Sequence, residues 1–335
     1  MFQEAAESAA AVRRMLDANR DELAQLGETL RTHAPRAVIT VARGSSDHAA
    51  TYAKYLIETR TGLLASSAAP SISSVYGAKA DLEGVLCLAL SQSGASPDLL
   101  SAVAAARSAR ALVVALVNAE QSPLSRAAHH TIALRAGEET SVAATKSYIA
   151  TLAAIVQLVA AWTRDSELAH ALGHAPAQLE AAWQLDWSAA IERLQPATNL
   201  YVIGRGLGLG IAQEAALKFK ETCGLHAEAF SAAELRHGPM ALVRAGFPVL
   251  LFAQHDEAHA GVVELAGELK RLGAEVLLAG AETFGAVMLP TLHAHAAIEP
   301  LLMISSFYRL ANALALARGR DPDRPPHLSK VTETV

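Results

Sequence analysis

The sequence predicts an α/β protein of two tandem subdomains, each a doubly wound, mostly parallel sheet flanked by helices. Three observations carry this prediction: a nearly constant internal offset, continuous aliphatic strand candidates, and Ala-rich helical segments between them. VITVARGSS from Val38 and LYVIGRGLG from Leu200 each end an apolar run in Arg-Gly, and Arg43 and Arg205 stand 162 positions apart. The next runs, VLCLALSQSG from Val85 and PVLLFAQHD from Pro248, keep that spacing between Gln92 and Gln254. The third pair, ALVVALV from Ala111 and AEVLLAG from Ala274, lies 163 apart. Two copies of one αβ unit explain the pattern.

Each element then follows in order. Residues 1–31 mix Glu, Arg and Asp with Ala and Leu and read as a leading amphipathic helix. Residues 32–165 form the first subdomain, with helices at 47–58 and 97–107 between its runs of Val, Ile and Leu. Residues 166–195 read as a helical linker. Residues 196–318 form the second subdomain, with helices at 213–221 and 257–271 and a long last helix at 298–317. Right-handed crossovers between buried parallel strands give the doubly wound arrangement. The tail, 319–335, is Pro-rich and cannot be regular helix.

Composition narrows the function classes. Apolar residues make up 52% of the 335 and charged residues 18%, which fits a packed globular chain. A balance of 28 Lys and Arg against 33 Asp and Glu, without a basic block, argues against nucleic acid or an anionic membrane as partner. The apolar stretch from Ile149 to Trp162 is too short to span a bilayer and reads as a buried helix. Cys87 and Cys223 are the only cysteines, so neither a disulfide scaffold nor a CxxC site is expected, and a cytoplasmic location is the simplest reading.

In doubly wound sheets ligands bind beyond the carboxyl ends of the strands. There the first copy offers Gly44-Ser45-Ser46 and Ser91-Gln92-Ser93-Gly94-Ala95-Ser96, the latter running into Pro97 as an N-cap and N1 pair. Helix N-termini and hydroxyls converging there describe a phosphate-type anion site, whereas one serine-rich loop alone would only turn and cap. The second copy has Leu207-Gly208 and Ala253-Gln254-His255-Asp256 at the matching places, so the fold itself does not demand the serines. One anion site per chain is expected, in the first half.

Glu214, Lys218 and Glu221 fall at i, i+4 and i+7 and share one helix face. The competing readings are a solvated salt-bridge ladder and, with His226, Glu228, Glu234 and His237 close behind, a proton-handling cluster in apolar surroundings. Other features read as background. His293 and His295 lack a third ligand, so no metal site is expected. Cys87 reads as a core thiol, and Arg43 as either a phosphate partner or a structural ion pair. The alternating Gly204, Gly206, Gly208 and Gly210 do not meet GxGxxG spacing with a downstream ribose-binding acid.

With SQSG at Ser91, VAATK at Val142, EAALKFKE at Glu214, HAEAFSAAELRHGP at His226 and HLSK at His327, the chain resembles the sugar isomerase (SIS) family. Within it the resemblance is to the isomerase half of the glutamine–fructose-6-phosphate aminotransferases and to stand-alone SIS-type glucosamine-6-phosphate deaminases. It implies that Gly44, Ser45, Ser46, Ser91, Gln92, Ser93 and Ser96 hold a sugar phosphate, with Val142, Ala144 and Ser329 in the same pocket. It further implies Glu221 as the acid/base between C1 and C2, and His237, donated in trans in a homodimer, as the ring-opening group. Lys330 would be a Schiff-base-forming amine in the tail, with Lys218 and Glu214 as supporting charges. No metal or organic cofactor is implied.

Because the chain opens Met1-Phe2 and its repeat begins within about 40 residues, the expectation is that it lacks a glutaminase nucleophile. The expected reaction is therefore conversion of glucosamine 6-phosphate and water to fructose 6-phosphate and ammonia. The alternatives are action on another amino- or ketosamine-sugar phosphate, ammonia-dependent glucosamine 6-phosphate formation, and a non-catalytic sugar-phosphate sensor.

Overall fold

The structure, a computed structural model, describes residues 1–330. It divides into two compact units. The first comprises Ala10–Glu139, Lys146–Gly173 and the tail from Ser329; the second comprises Met1–Ala9, Thr140–Thr145 and His174–Leu328. Both are α/β, and each is built on one five-stranded sheet in which all pairings are parallel.

In the first unit the strands are β1 (Ala37–Val41), β2 (Ala65–Ser67), β3 (Val85–Ser91), β4 (Leu112–Val117) and β5 (His130–Ala133), in the order β2-β1-β3-β4-β5. The second unit carries β6 (Asn199–Gly204), β7 (His226–Ser231), β8 (Pro248–Phe252), β9 (Glu275–Ala279) and β10 (Val287–Leu289), in the order β7-β6-β8-β9-β10. Taken copy by copy, these are the same topology. Gly44 and Gly206, each just past the first strand of its copy, also share a positive φ of 54° and 59°.

The central strands are continuous apolar runs because helices cover both faces. Residues 85–90 of β3 and all of β8 are buried, and each Val or Leu so buried contributes about 1.5–3 kcal/mol. The outer strands were not legible as strands. β2 is only Ala-Ser-Ser with two exposed residues, and β7 alternates polar and apolar positions as a half-solvated edge does.

The leading segment is not one helix over 1–31 but three pieces, Phe2–Ala6, Ser8–Ala18 and Arg20–His33. Asn19 makes the second break: its buried side-chain amide donates to the Ala133 carbonyl at the end of β5, competing with helical continuation. In the first unit, helix Arg20–His33 crosses helix Lys146–Thr163 closely at Gly27, where a Cβ would stand 2.6 Å from the Ala161 carbonyl oxygen. Arg31 caps the crossed helix by donating to the Ala161 and Trp162 carbonyls. Helix Lys146–Thr163 extends beyond the predicted Ile149–Trp162 and is a buried core helix.

In the second unit, helix Gly208–Cys223 packs on helix Glu299–Ala317, with Phe219 and Phe307 edge to face at 5.0 Å. Gly204 permits the first of these helices to start tight against β6, since a Cβ there would lie 2.2 Å from the Gly208 carbonyl oxygen. Close packing thus accounts for this part of the alternating-glycine run. The tail from Arg318 to Lys330 is turns and irregular chain. The rest of the predicted tail, residues 331–335, lies outside the described residues.

Candidate functional site

In the order β2-β1-β3-β4-β5 the chain reverses direction of winding between β1 and β3, and that switch point is where open α/β sheets bind ligands. Both serine loops are there. Gly44 leads helix Ser45–Thr61, with Ser45 and Ser46 half-buried in its first turn. After β3, the Ser91 hydroxyl accepts the Gly94 N–H at 3.0 Å and the Ser93 hydroxyl accepts the Ala95 N–H at 3.4 Å, so the loop shapes itself. Ser96 is the N-cap and Pro97 the first helical residue of Pro97–Ser108, yet the Ser96 hydroxyl makes no capping bond. The two loops thus bring two helix N-termini and several serines to neighbouring strand ends, the arrangement that favours an anion.

Arg43 takes the structural-ion-pair role: its Nε pairs with Asp98 at 2.9 Å, neutralising the buried carboxylate in the first turn of Pro97–Ser108. Gly94 has φ +62° and must be glycine, since a Cβ would stand 2.3 Å from Ser122 Oγ and 2.9 Å from Val117 Cγ2. Gly94→Ala should therefore cost about 1–3 kcal/mol and displace the loop. Urea unfolding of the variant measures that cost, and an unchanged midpoint would show that the loop tolerates a Cβ.

Glu139, which the sequence reading passed over, is the hub of this unit's polar network. Its Oε2 accepts from Gln92 Nε2 at 2.6 Å and from Ser147 Oγ at 2.5 Å, and lies 3.7 Å from Lys330 Nζ. A fully buried carboxylate thus links the serine loop, the start of helix Lys146–Thr163 and the tail lysine. Its sequence signal was weak, a Glu in GEET beside the VAATK segment. Ser329 is exposed. Val142 and Ala144 are half-buried and belong to the second unit, where the Val142 N–H donates to the Asp323 carbonyl.

The second unit holds the carboxylate–lysine triad. Lys218 Nζ lies 3.2 Å from Glu214 Oε1 and 2.6 Å from Glu221 Oε2. Glu214 and Lys218 are buried, the Tyr308 hydroxyl donates to Glu214, and the Glu221 side chain keeps 17% exposure. Burial opposes the ammonium charge, but the two carboxylates and their hydrogen bonds outweigh it and hold the Lys218 pKa above its ordinary value. Burial excludes the solvated-ladder reading. It also corrects the wider cluster: His226, Glu228, Glu234 and His237 are exposed, on β7 and the turn Glu234–His237, and do not share the triad's apolar surroundings. The thiols are core groups, with burial pushing Cys87 up to about 12 and Cys223 to about 11.

At the second sheet's switch point, between β6 and β8, the crevice is spanned from within. Gln254 Nε2 donates to the Arg205 carbonyl at 2.6 Å and to Asp256 at 2.8 Å. The first copy thus carries serines at these strand ends, where the second carries imidazole, amide and carboxylate.

A tandem, doubly wound α/β protein with serine-rich loops at the strand ends of one sheet is the class this fold defines. The SIS domain family model matches residues 33–161 and 193–281, and the chain belongs to that family. It is 36% identical over 318 residues to the glutamine–fructose-6-phosphate aminotransferase [isomerizing] of Aeropyrum pernix, an alignment covering 89% of this chain and 51% of that protein. The chain spans about half the length of the curated relatives it matches. Among solved structures, a "putative phosphosugar isomerase" from Silicibacter pomeroyi superposes with TM-score 0.93 at 44% identity, over 96% of this chain and 99% of that one. The C-terminal domain of the glucosamine-fructose-6-phosphate aminotransferase of Francisella tularensis gives 0.88 at 25% identity, over 97% and 98%.

Proposed function

We propose that the chain is a phosphosugar aldose–ketose isomerase that deaminates glucosamine 6-phosphate to fructose 6-phosphate and ammonia. The observation that carries the reading is Glu221, a carboxylate held by a buried ammonium at one oxygen while part of the side chain stays open to solvent. Enolisation beside a carbonyl needs a base held in a fixed orientation and open to the substrate. The serine loops at the first switch point support phosphate as the handle. The relatives' names support the couple of fructose 6-phosphate with an amino sugar.

In this reading the phosphate sits on Ser46 and Ser91–Ser96, with Gly44, Ser45 and Ser329 around it. His237, exposed and donated in trans in a homodimer, opens the pyranose by proton transfer between O5 and O1. Glu221 removes the C2 proton of the open-chain aldehyde while O1 takes up a proton, giving an enolamine; return of the proton to C1 and loss of an N–H proton then leave CH2OH at C1 and a C2=N bond. Water then adds at C2, the C–N bond breaks and ammonia departs. Alternatively Lys330 displaces ammonia as a C2 Schiff base, and water afterwards frees the ketose and the lysine. Glu139, beside Lys330, would steady that amine's charge.

The test is an assay of the purified chain with glucosamine 6-phosphate, with galactosamine 6-phosphate and fructosamine 6-phosphate in parallel. Equal release of ammonia and fructose 6-phosphate from the first is expected. Turnover of another member of the panel alone would reassign the sugar. Binding without turnover of any would make the chain a sensor.

A further inference from the structure

We propose that His255, His293 and Glu299, in the second unit, form a binding site for one divalent metal ion of the zinc and cobalt class. The site stands at the end of β8, on the loop that is the internal copy of the first unit's serine loop. His255 occupies the place that Ser93 holds 162 positions earlier. Where the first copy carries hydroxyls, the second presents imidazoles and a carboxylate, the donor set that zinc and cobalt take.

Three separate segments supply the donors. His255 Nδ1 lies 3.0 and 3.1 Å from the two oxygens of Glu299, and His293 Nδ1 lies 3.1 Å from Oε1. All the donor atoms fall within 4.8 Å of one another. Ligands held about 2.0–2.2 Å from one ion in a tetrahedral set stand roughly 3.3 Å apart, so small ring adjustments admit the ion. The sequence expectation of no metal site rested on the segment of His293 and His295 lacking a third ligand, yet His255 and Glu299 join His293 from elsewhere in the chain. That segment is not a strand; the His295 ring instead accepts the Ala297 N–H at 3.1 Å.

The surroundings orient the donors as outer-shell groups do in metal sites. Glu299 is fully buried in the first turn of helix Glu299–Ala317. The backbone N–H groups of His255 and Ala294 donate to its two oxygens at 2.6 and 3.1 Å, which fixes the carboxylate plane. The His255 ring stacks on His259 at 4.7 Å and 17°, and His259 Nδ1 is 3.2 Å from the Ala253 and Gln254 carbonyls. Side-chain exposures of 38% for His255 and 77% for His293 leave an entry path and a coordination position for water. A bound ion would tie the β8 loop and the segment before Glu299 to the start of that helix. The rival arrangement has both neutral imidazoles donating Nδ1–H to Glu299, with no ion.

The untagged chain, stripped with chelator and dialysed, is titrated with Co²⁺ and then Zn²⁺. One equivalent of Co²⁺ per chain is expected, with the visible absorption of a four- or five-coordinate ion, displaced by Zn²⁺, and a rise in melting temperature with either metal. His293→Ala, a surface change, should weaken binding at least 10- to 100-fold and abolish the thermal shift, while exposed His33→Ala leaves both unchanged. No binding, or binding that His293→Ala and His255→Ala leave intact, overturns the proposal.

Discussion

Glu221→Gln is expected to lower kcat on glucosamine 6-phosphate by about 10²–10⁴-fold, the range a positioned general base supplies. The amide is isosteric and its oxygen can still accept from Lys218, which Glu214 continues to neutralise, so the fold should hold. Because the phosphate handle lies on the serine loops and not on Glu221 in our reading, affinity for fructose 6-phosphate should change only a few-fold. Titration calorimetry and steady-state kinetics separate the two effects. A variant that loses affinity and turnover together would assign Glu221 to binding rather than proton transfer.

The second large effect is on stability. Lys218→Met leaves Glu214 buried without its counter-ion, and breaking a buried pair from one side costs about 3–5 kcal/mol. Adding Glu214→Gln removes the orphaned charge and should restore a good part of that loss, so the cycle reads the pairing rather than methylene packing. The lysine also sets an alkaline limit. Its folded pKa is raised, so its stabilisation is complete below the ordinary value of 10.5 and is lost as the pH climbs through the higher folded value. Native stability should therefore fall on the alkaline side of 10.5, and Lys218→Met should flatten that limb. A urea midpoint indistinguishable from the native chain's would contradict the account of the triad.

What could be read in the sequence was whatever is written in contiguous letters. The six central strands, β1, β3, β4, β6, β8 and β9, are aliphatic runs because both their faces are buried, and their repetition exposed the duplication. The serine loops follow those runs directly, and i, i+4, i+7 spacing placed the triad on one helix face. Edge strands were lost because half-solvated pairing asks little of composition, as Ala65–Ser67 illustrates. Burial of the triad could not be read, since Glu214 and Lys218 are spelled like surface residues. Nor could partnerships closed by tertiary folding: Glu139 reaches Gln92 and Lys330 from far along the chain, and Glu299 gathers His255 and His293 from two loops.

The duplicated fold offers two strand-end crevices, and the account rests on only one of them being built for a phosphate monoester. A crystal of the chain soaked with glucosamine 6-phosphate addresses that directly. The phosphoryl oxygens should lie against the hydroxyls and backbone N–H groups of residues 44–46 and 91–96. Phosphoryl density beside His255 and Gln254, or anywhere else on the chain, would contradict it.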